Sequence, residues 1–486
     1  MNYEFLKQGI KRVPYSHQLE AVDFFERRTN GNLFYGMGAG KTGTAILIYR
    51  NWCRQEGRLL RALVLCPSVV IYNWQDEFGL FSKIEQSYIL PLGKGTGKDK
   101  AEKVRSRTEG ILIANYEALL SNDLFEAIYN FNPEVIIFDE VHLVKNATAK
   151  RSKLVFELAK QATNRLGLTG TPLTKNAMDI YGIFKAIDLG ETFGTNQYVY
   201  QAKYMVDANA AWKNKSNYFP KLINNPKTFQ ELNDLIYKKS LRKQTHECID
   251  LPDLIEVTHQ LDLSREMKKA YDEIKRDFLT FIETSKAEGI SESVTANLAV
   301  TKALRLLQVA SGYVQLDNGE IHQFKDVPKL DYAKELLEEI VVEGDNKCIV
   351  WCCFKANYHM IAKVCEELKI KYVFMTGEQS TSEKRESELA FNNDPEVKVI
   401  IANRSAGGVG VNLKAASHSI IFSRNFSLLD EQQSMARNYR GGSKDLHDKI
   451  IKIDLVTKDS IELQVLEALR NKEDVSKKVI DLVKGN

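Results

Sequence analysis

The chain has 486 residues, of which 27% are charged and 44% hydrophobic, and 67 lysines and arginines against 64 acids leave a formal net charge of +3. That composition is ordinary for a folded chain of two or three domains, and its near-balanced charge carries no basic signature, so any nucleic-acid partner must be argued from local residues. No apolar run approaches the ~18–20 residues of a membrane span, and the residues after Met1 lack the apolar core of a secretory signal, which leads us to expect a bacterial cytosol or a virus-infected cell and no membrane partner.

Residues 32–35 read as a short strand, followed by Gly36-Met37-Gly38-Ala39-Gly40-Lys41-Thr42 and a helix over 44–52 with Ala45, Ile46, Ile48 and Tyr49 on its apolar stripe. A glycine-rich turn between a strand and a helix start presents backbone N–H groups to phosphates. Lys41 adds an ammonium and Thr42 a hydroxyl for a metal. The full phosphate-loop pattern asks for glycine five positions before Gly40, where Tyr35 stands. Further strands are expected over 62–66, 111–114, 135–138 and 165–168, alternating with helices, which is the rhythm of a doubly wound parallel sheet. Asp139-Glu140-Val141-His142 follows the strand over 135–138. One acid suits a magnesium ion and the other suits the attacking water, so loop and acids in this order point to nucleotide hydrolysis.

From about 188 to 327 the chain turns charged and mostly helix-patterned, with amphipathic helices expected over 264–283 and 293–311. Lys213, Lys215, Lys238 and Lys239 there fit either a grip on a DNA junction or solvated helix faces. The strand–helix rhythm returns with strands over 348–351, 372–375, 397–402, 418–422 and 450–455. Cys348, Cys352 and Cys353 cluster without a Cys-x-x-Cys pair, so buried reduced thiols are expected there rather than a metal site. The expected class is α/β, with a first domain over 1–187, a helical insertion over 188–327 and a second domain over 328–486.

The ordered landmarks resemble the Swi/Snf-related ATPases of helicase superfamily 2, DNA translocases built on two RecA-like domains. Tyr15-Ser16-His17-Gln18 is similar to the segment that carries the family's adenine-reading glutamine. Pro67-Ser68 with Asn73-Trp74, and Tyr116-Glu117, resemble its DNA-contacting segments. The acids run on into Lys145-Asn146, as they do in this group. Leu168-Thr169-Gly170-Thr171-Pro172 with Lys175-Asn176 resembles its coupling segment. Gly377, Arg385 and Phe391, then Ala406-Gly407-Gly408-Val409-Gly410-Val411-Asn412-Leu413, then Gln433, Arg437 and Arg440 match its second half. The chain departs from the family at Ala436, where an acid is usual, at Gly442-Ser443, and at Asn425-Phe426-Ser427.

The resemblance implies ATP and Mg2+ as cofactors, with Gln18, Gly38, Gly40, Lys41, Thr42 and Gly410 around the nucleotide and Thr42 and Asp139 on the metal. It implies Lys41, Asp139, Glu140, Arg437 and Arg440 as catalytic, the two arginines acting from the second domain on the γ-phosphate. His142, Thr169 and Gln433 would couple the halves. Ser68, Asn73, Tyr116, Thr171, Lys175, Arg404 and Ser405 would touch DNA, as a duplex, fork or junction, through its backbone. The expected worker is a monomeric DNA-dependent ATPase for fork remodelling, branch migration or protein displacement, since no segment resembles a histone-reading module. An RNA-directed or transcription-associated ATPase, and a non-catalytic ATP-binding scaffold, are the alternatives. Intact Lys41, Asp139, Glu140, Arg437 and Arg440 speak against the scaffold.

Overall fold

A computed structural model describes residues 10–170, 177–210, 220, 222–248, 251–287, 292–316, 318–404 and 411–471. The chain divides into two compact units, Met1–Asp250 and Leu251–Asn486. In the first, β1 (Asn30–Tyr35), β2 (Ala62–Cys66), β3 (Ile89–Pro91), β4 (Ile111–Asn115), β5 (Val135–Asp139) and β6 (Asn164–Leu168) form a parallel sheet. An antiparallel pair, β7 (Met205–Asp207) and β8 (Leu222–Asn224), stands apart from it, and β9 (Ser240–Lys243) completes the order β3-β4-β2-β5-β6-β1-β9. Strands that are neighbours in the sheet but not in sequence need crossovers, which the intervening helices supply. The central strands β2 and β5 are buried at every residue, as strands covered on both faces must be.

The second unit repeats the plan. β10 (Asp253–Leu261) precedes a small antiparallel pair, β11 (Tyr313–Gln315) and β12 (Ile321–Gln323). Next come β13 (Cys348–Cys352), β14 (Lys371–Met375), β15 (Val397–Asn403), β16 (His418–Ile421) and β17 (Lys449–Thr457). The parallel order is β10-β17-β16-β13-β15-β14. The two parallel-sheet α/β units are the RecA-like pair the resemblance implies. The cysteines of the described residues are free, and burial pushes the Cys348 and Cys352 thiols well above their usual range. No helix among the described residues is long and apolar enough to cross a membrane.

The structure differs from the expected organisation in the stretch 188–327, which is shared between the units rather than set apart as one insertion. Two strands within it, β9 and β10, join the two large sheets. Both lie at sheet edges, and β10 carries only exposed and half-buried residues along its length. Edge strands need no apolar run, so Ser-Leu-Arg-Lys at β9 leaves no hydrophobic signal to read. The two amphipathic helices fall at Arg265–Ala287 and Glu292–Ala310.

Candidate nucleotide site and its neighbours

The loop after β1 is held by its carbonyl groups. Lys41 Nζ donates to the carbonyls of Tyr35 at 3.2 Å and Gly36 at 3.4 Å. Thr245 Oγ1 donates to Met37 O at 2.7 Å, His17 Nε2 to Ala39 O at 2.9 Å, and Gln18 Nε2 and Thr44 Oγ1 to Gly40 O at 3.1 and 2.9 Å. Protein donors thus fix the loop's carbonyls. The helix Lys41–Glu56 then starts at once, because Gly40 caps it with φ 75°, and the first turn of a helix suits an anion. Gly38 also has positive φ, at 79°. A side chain at Gly40 would meet Gln18 Nε2 at 2.9 Å, and one at Gly36 would meet Thr245 Oγ1 at 2.4 Å, so both positions need glycine.

Tyr35, where the loop pattern asks for glycine, is the last residue of β1 and wholly buried. Its hydroxyl donates to the His17 carbonyl at 3.2 Å. Gln18 is buried with both ends of its amide in use, Oε1 accepting from Tyr15 N–H at 2.9 Å and Nε2 donating to Gly40. In this state it anchors the loop. His17, inside the segment quoted for Gln18, and Thr245, which no motif in the sequence marks, perform the same task. Burial lowers the His17 pKa, which keeps the ring neutral.

The acids sit where β5 ends. Asp139 is 9% exposed, and Trp74 Nε1 donates to its Oδ2 at 2.8 Å. Burial, with the Glu140 charge adding to it, pushes the Asp139 carboxyl up to about 6. Glu140 takes the left-handed conformation, φ 52°, which costs a non-glycine residue about 1–2 kcal/mol and turns its side chain off the strand axis. Thr169 Oγ1 donates to Glu140 Oε2 at 3.4 Å, and His142 Nδ1 lies 3.2 Å from both groups. Thr169 is wholly buried just past the end of β6, so Glu140 is tied to the segment that runs on in sequence to Thr171.

Two crowded carboxylates, one pushed up by burial, suit a hard dication. Magnesium keeps most of its shell as water and phosphate oxygens, so the absence of a cluster of three metal-binding side chains among the described residues does not argue against it. Asp139 and Thr42 fit that role.

The expected DNA residues fare unevenly. Ser68 is exposed at the start of the turn after β2, and Asn73 is half-buried in the helix Ile71–Phe81. Tyr116 is corrected. It is wholly buried and its hydroxyl donates to Asp139 O at 2.8 Å, so it buttresses the acid and has no surface for DNA. Arg404 is likewise corrected, being 0% exposed and paired with Glu431 and Ser434. Thr171, Lys175, Ser405 and Gly410 lie outside the described residues.

In the second unit Gln433 is buried on the helix Leu428–Met435. That helix stops at Met435, so Arg437 and Arg440 stand in the turns beyond it. Their Nη1 atoms converge on one acceptor, the Val411 carbonyl, at 3.4 and 3.2 Å. Arg437 is 7% exposed and Arg440 half-buried.

A carbonyl-anchored phosphate loop beside paired acids at the end of a central parallel strand defines a helicase-type nucleoside-triphosphate hydrolase. The SNF2-related domain matches residues 17–310 and the helicase conserved C-terminal domain matches 329–442. The chain belongs to the SNF2-related family. It is 24% identical to the TATA-binding protein-associated factor BTAF1 of Arabidopsis thaliana, over 98% of this chain and 25% of that protein. It is also 24% identical to the uncharacterized ATP-dependent helicase MG018 of Mycoplasma genitalium, over 98% of this chain and 42% of the other. It therefore spans between a quarter and less than half of these relatives. Among solved structures, the SWI2/SNF2 ATPase core of Sulfolobus solfataricus in complex with dsDNA is 22% identical, with 97% of this chain and 94% of that chain covered and a TM-score of 0.44.

Proposed function

We propose that this chain hydrolyses ATP to move on duplex or branched DNA, working as a cytosolic monomer in fork remodelling, branch migration or displacement of bound protein. The observation that carries the reading is the contact of Glu140 with His142 and Thr169, which links the acid nearest the expected water to the coupling segment.

Each group has a defined task. The loop N–H groups and Lys41 hold the β- and γ-phosphates, and Glu140 orients the water or takes its proton. Thr42 and Asp139 would hold magnesium, which neutralises phosphate charge when bound. Arg437 and Arg440 stabilise charge developing on the γ-phosphate. Ser68 and Asn73 offer a hydroxyl and an amide to phosphate oxygens, so binding is largely blind to sequence and weakens with salt.

The test is steady-state ATP hydrolysis with duplex DNA, single strands and RNA, alongside Glu140→Gln and Lys41→Ala. Duplex DNA should accelerate the wild-type chain. Glu140→Gln should keep ATP bound and slow turnover by about 10²–10⁴-fold, while Lys41→Ala weakens nucleotide binding. A wild-type rate indifferent to saturating DNA, or equal losses of nucleotide affinity in both variants, would overturn the reading.

A further inference from the structure

Asp139 is held from two sides by segments that begin beyond other strands. In the order β4-β2-β5, the turn after β4 supplies Tyr116 and the helix after β2 supplies Trp74. Tyr116 Oη bonds the Asp139 backbone carbonyl at 2.8 Å and Trp74 Nε1 bonds its carboxylate at 2.8 Å. Trp74 is 1% exposed and Tyr116 is fully covered, so neither indole nor phenol has a choice of partner in water. Trp74 follows Asn73 directly in the helix Ile71–Phe81, where consecutive side chains point about 100° apart. One helix therefore carries the half-buried Asn73 and, one residue on, a buried indole on the Asp139 carboxylate.

We propose that Trp74 is a positioning residue through which DNA held at Ser68 and Asn73 sets the Asp139 carboxylate, with Tyr116 fixing the backbone of the same residue. The inference rests on the DNA-coupled hydrolysis proposed above. The physical reason is rigidity. The helix is anchored by Trp74 and Phe78, the latter wholly buried with its ring 6.1 Å from that of Trp74, so a phosphate bound at Asn73 shifts the helix as a body rather than one side chain. A hydrogen bond to a charged acceptor weakens steeply with distance and angle, so a small helix movement reorients the carboxylate.

Two measurements test this. Trp74→Phe keeps an aromatic ring and loses the donor. We expect DNA-stimulated kcat to fall about tenfold, the effect of one hydrogen bond to a charged group, while the KM for ATP and the affinity for duplex DNA stay within about twofold. The second measurement uses the intact wild-type chain labelled with 5-fluorotryptophan. The 19F resonance displaced in Asp139→Asn is that of Trp74, and it should move when a short duplex is added without nucleotide or metal. That assignment stands even where Trp74→Phe fails to fold. Unchanged stimulated kcat in a folded Trp74→Phe, or a Trp74 resonance unmoved by saturating duplex, would overturn the inference and leave DNA-stimulated hydrolysis intact. A wild-type chain that hydrolyses ATP without regard to DNA would overturn both.

Discussion

In the first unit two acids crowd together at the end of β5, and burial with the neighbouring Glu140 drives Asp139 up to about 6 against the opposing pull of the Trp74 hydrogen bond and Lys41. In the second unit the charged residues near the corresponding strand ends neutralise one another inside the protein. Arg404 pairs with Glu431, Lys452 reaches Glu431 at 3.0 Å and Glu256 at 2.9 Å, and Arg424 meets Asp454 at 2.9 Å with neither side chain exposed. Burial opposes the Glu431 charge, yet Arg404, Lys452 and Arg424 outweigh it and hold the carboxyl well below its usual range. Opposite shifts on the same chemical group separate acids crowded against one another from acids buried among cations. Outside that network, Arg437 and Arg440 are gathered on the Val411 carbonyl.

That contrast breaks most visibly at Arg440. Arg440→Ala should cut DNA-stimulated hydrolysis by about 10³-fold or more while leaving ATP and DNA binding nearly intact, because the guanidinium acts on charge that develops in the transition state. Single-turnover hydrolysis on forked DNA, with nucleotide affinity measured in parallel, decides this. Near-normal hydrolysis would place the arginine finger elsewhere and leave the second unit only a structural role.

Glu431→Gln sharpens the second half of the comparison. It removes the shared acceptor of buried Arg404 and Lys452, and breaking a buried pair costs about 3–5 kcal/mol. Chemical denaturation should show that loss near neutral pH. Because the folded-state pKa of Glu431 lies below its unfolded value, its stabilisation is complete above the ordinary glutamate range and fades as pH falls through the folded value. The gap between wild type and variant should therefore narrow in acid.

Asp139→Asn tests the first half, with a smaller effect of the opposite sign. Its folded-state pKa is raised, so the wild-type chain loses stability as pH rises from the unfolded value near 4 to about 6 and then levels off. The amide should make the nucleotide-free chain more stable by about 1–3 kcal/mol at neutral pH, with the difference vanishing near pH 4, while turnover is lost. Thermal or denaturant melts across pH 4–8 check it. A destabilised Asp139→Asn at neutral pH would mean that Asp139 is already neutralised within the unit.

The two sheets, the phosphate loop and the paired acids were legible because each depends on local pattern. Strands buried on both faces must be apolar throughout, as Val135 to Phe138 are, and a phosphate loop needs glycine, lysine and a hydroxyl in consecutive order. Polar edge strands escaped notice for the converse reason, since Ser240–Lys243 and Asp253–Leu261 are defined by whom they pair with and not by what they bury.

What the sequence by itself determined is which chemical groups are present and in what order: Lys41, Thr42, Asp139 and Glu140 on one sheet, Arg437 and Arg440 on another. Tertiary structure alone decided which of them face outward. Tyr116 and Arg404 look in sequence like residues for a phosphate backbone, yet one supports Asp139 and the other is neutralised by Glu431. Trp74 and Thr245 reach their partners across 65 and 208 residues of chain. Burial and long-range hydrogen bonds depend on how distant strands come side by side, and no local pattern of residue types carries that information.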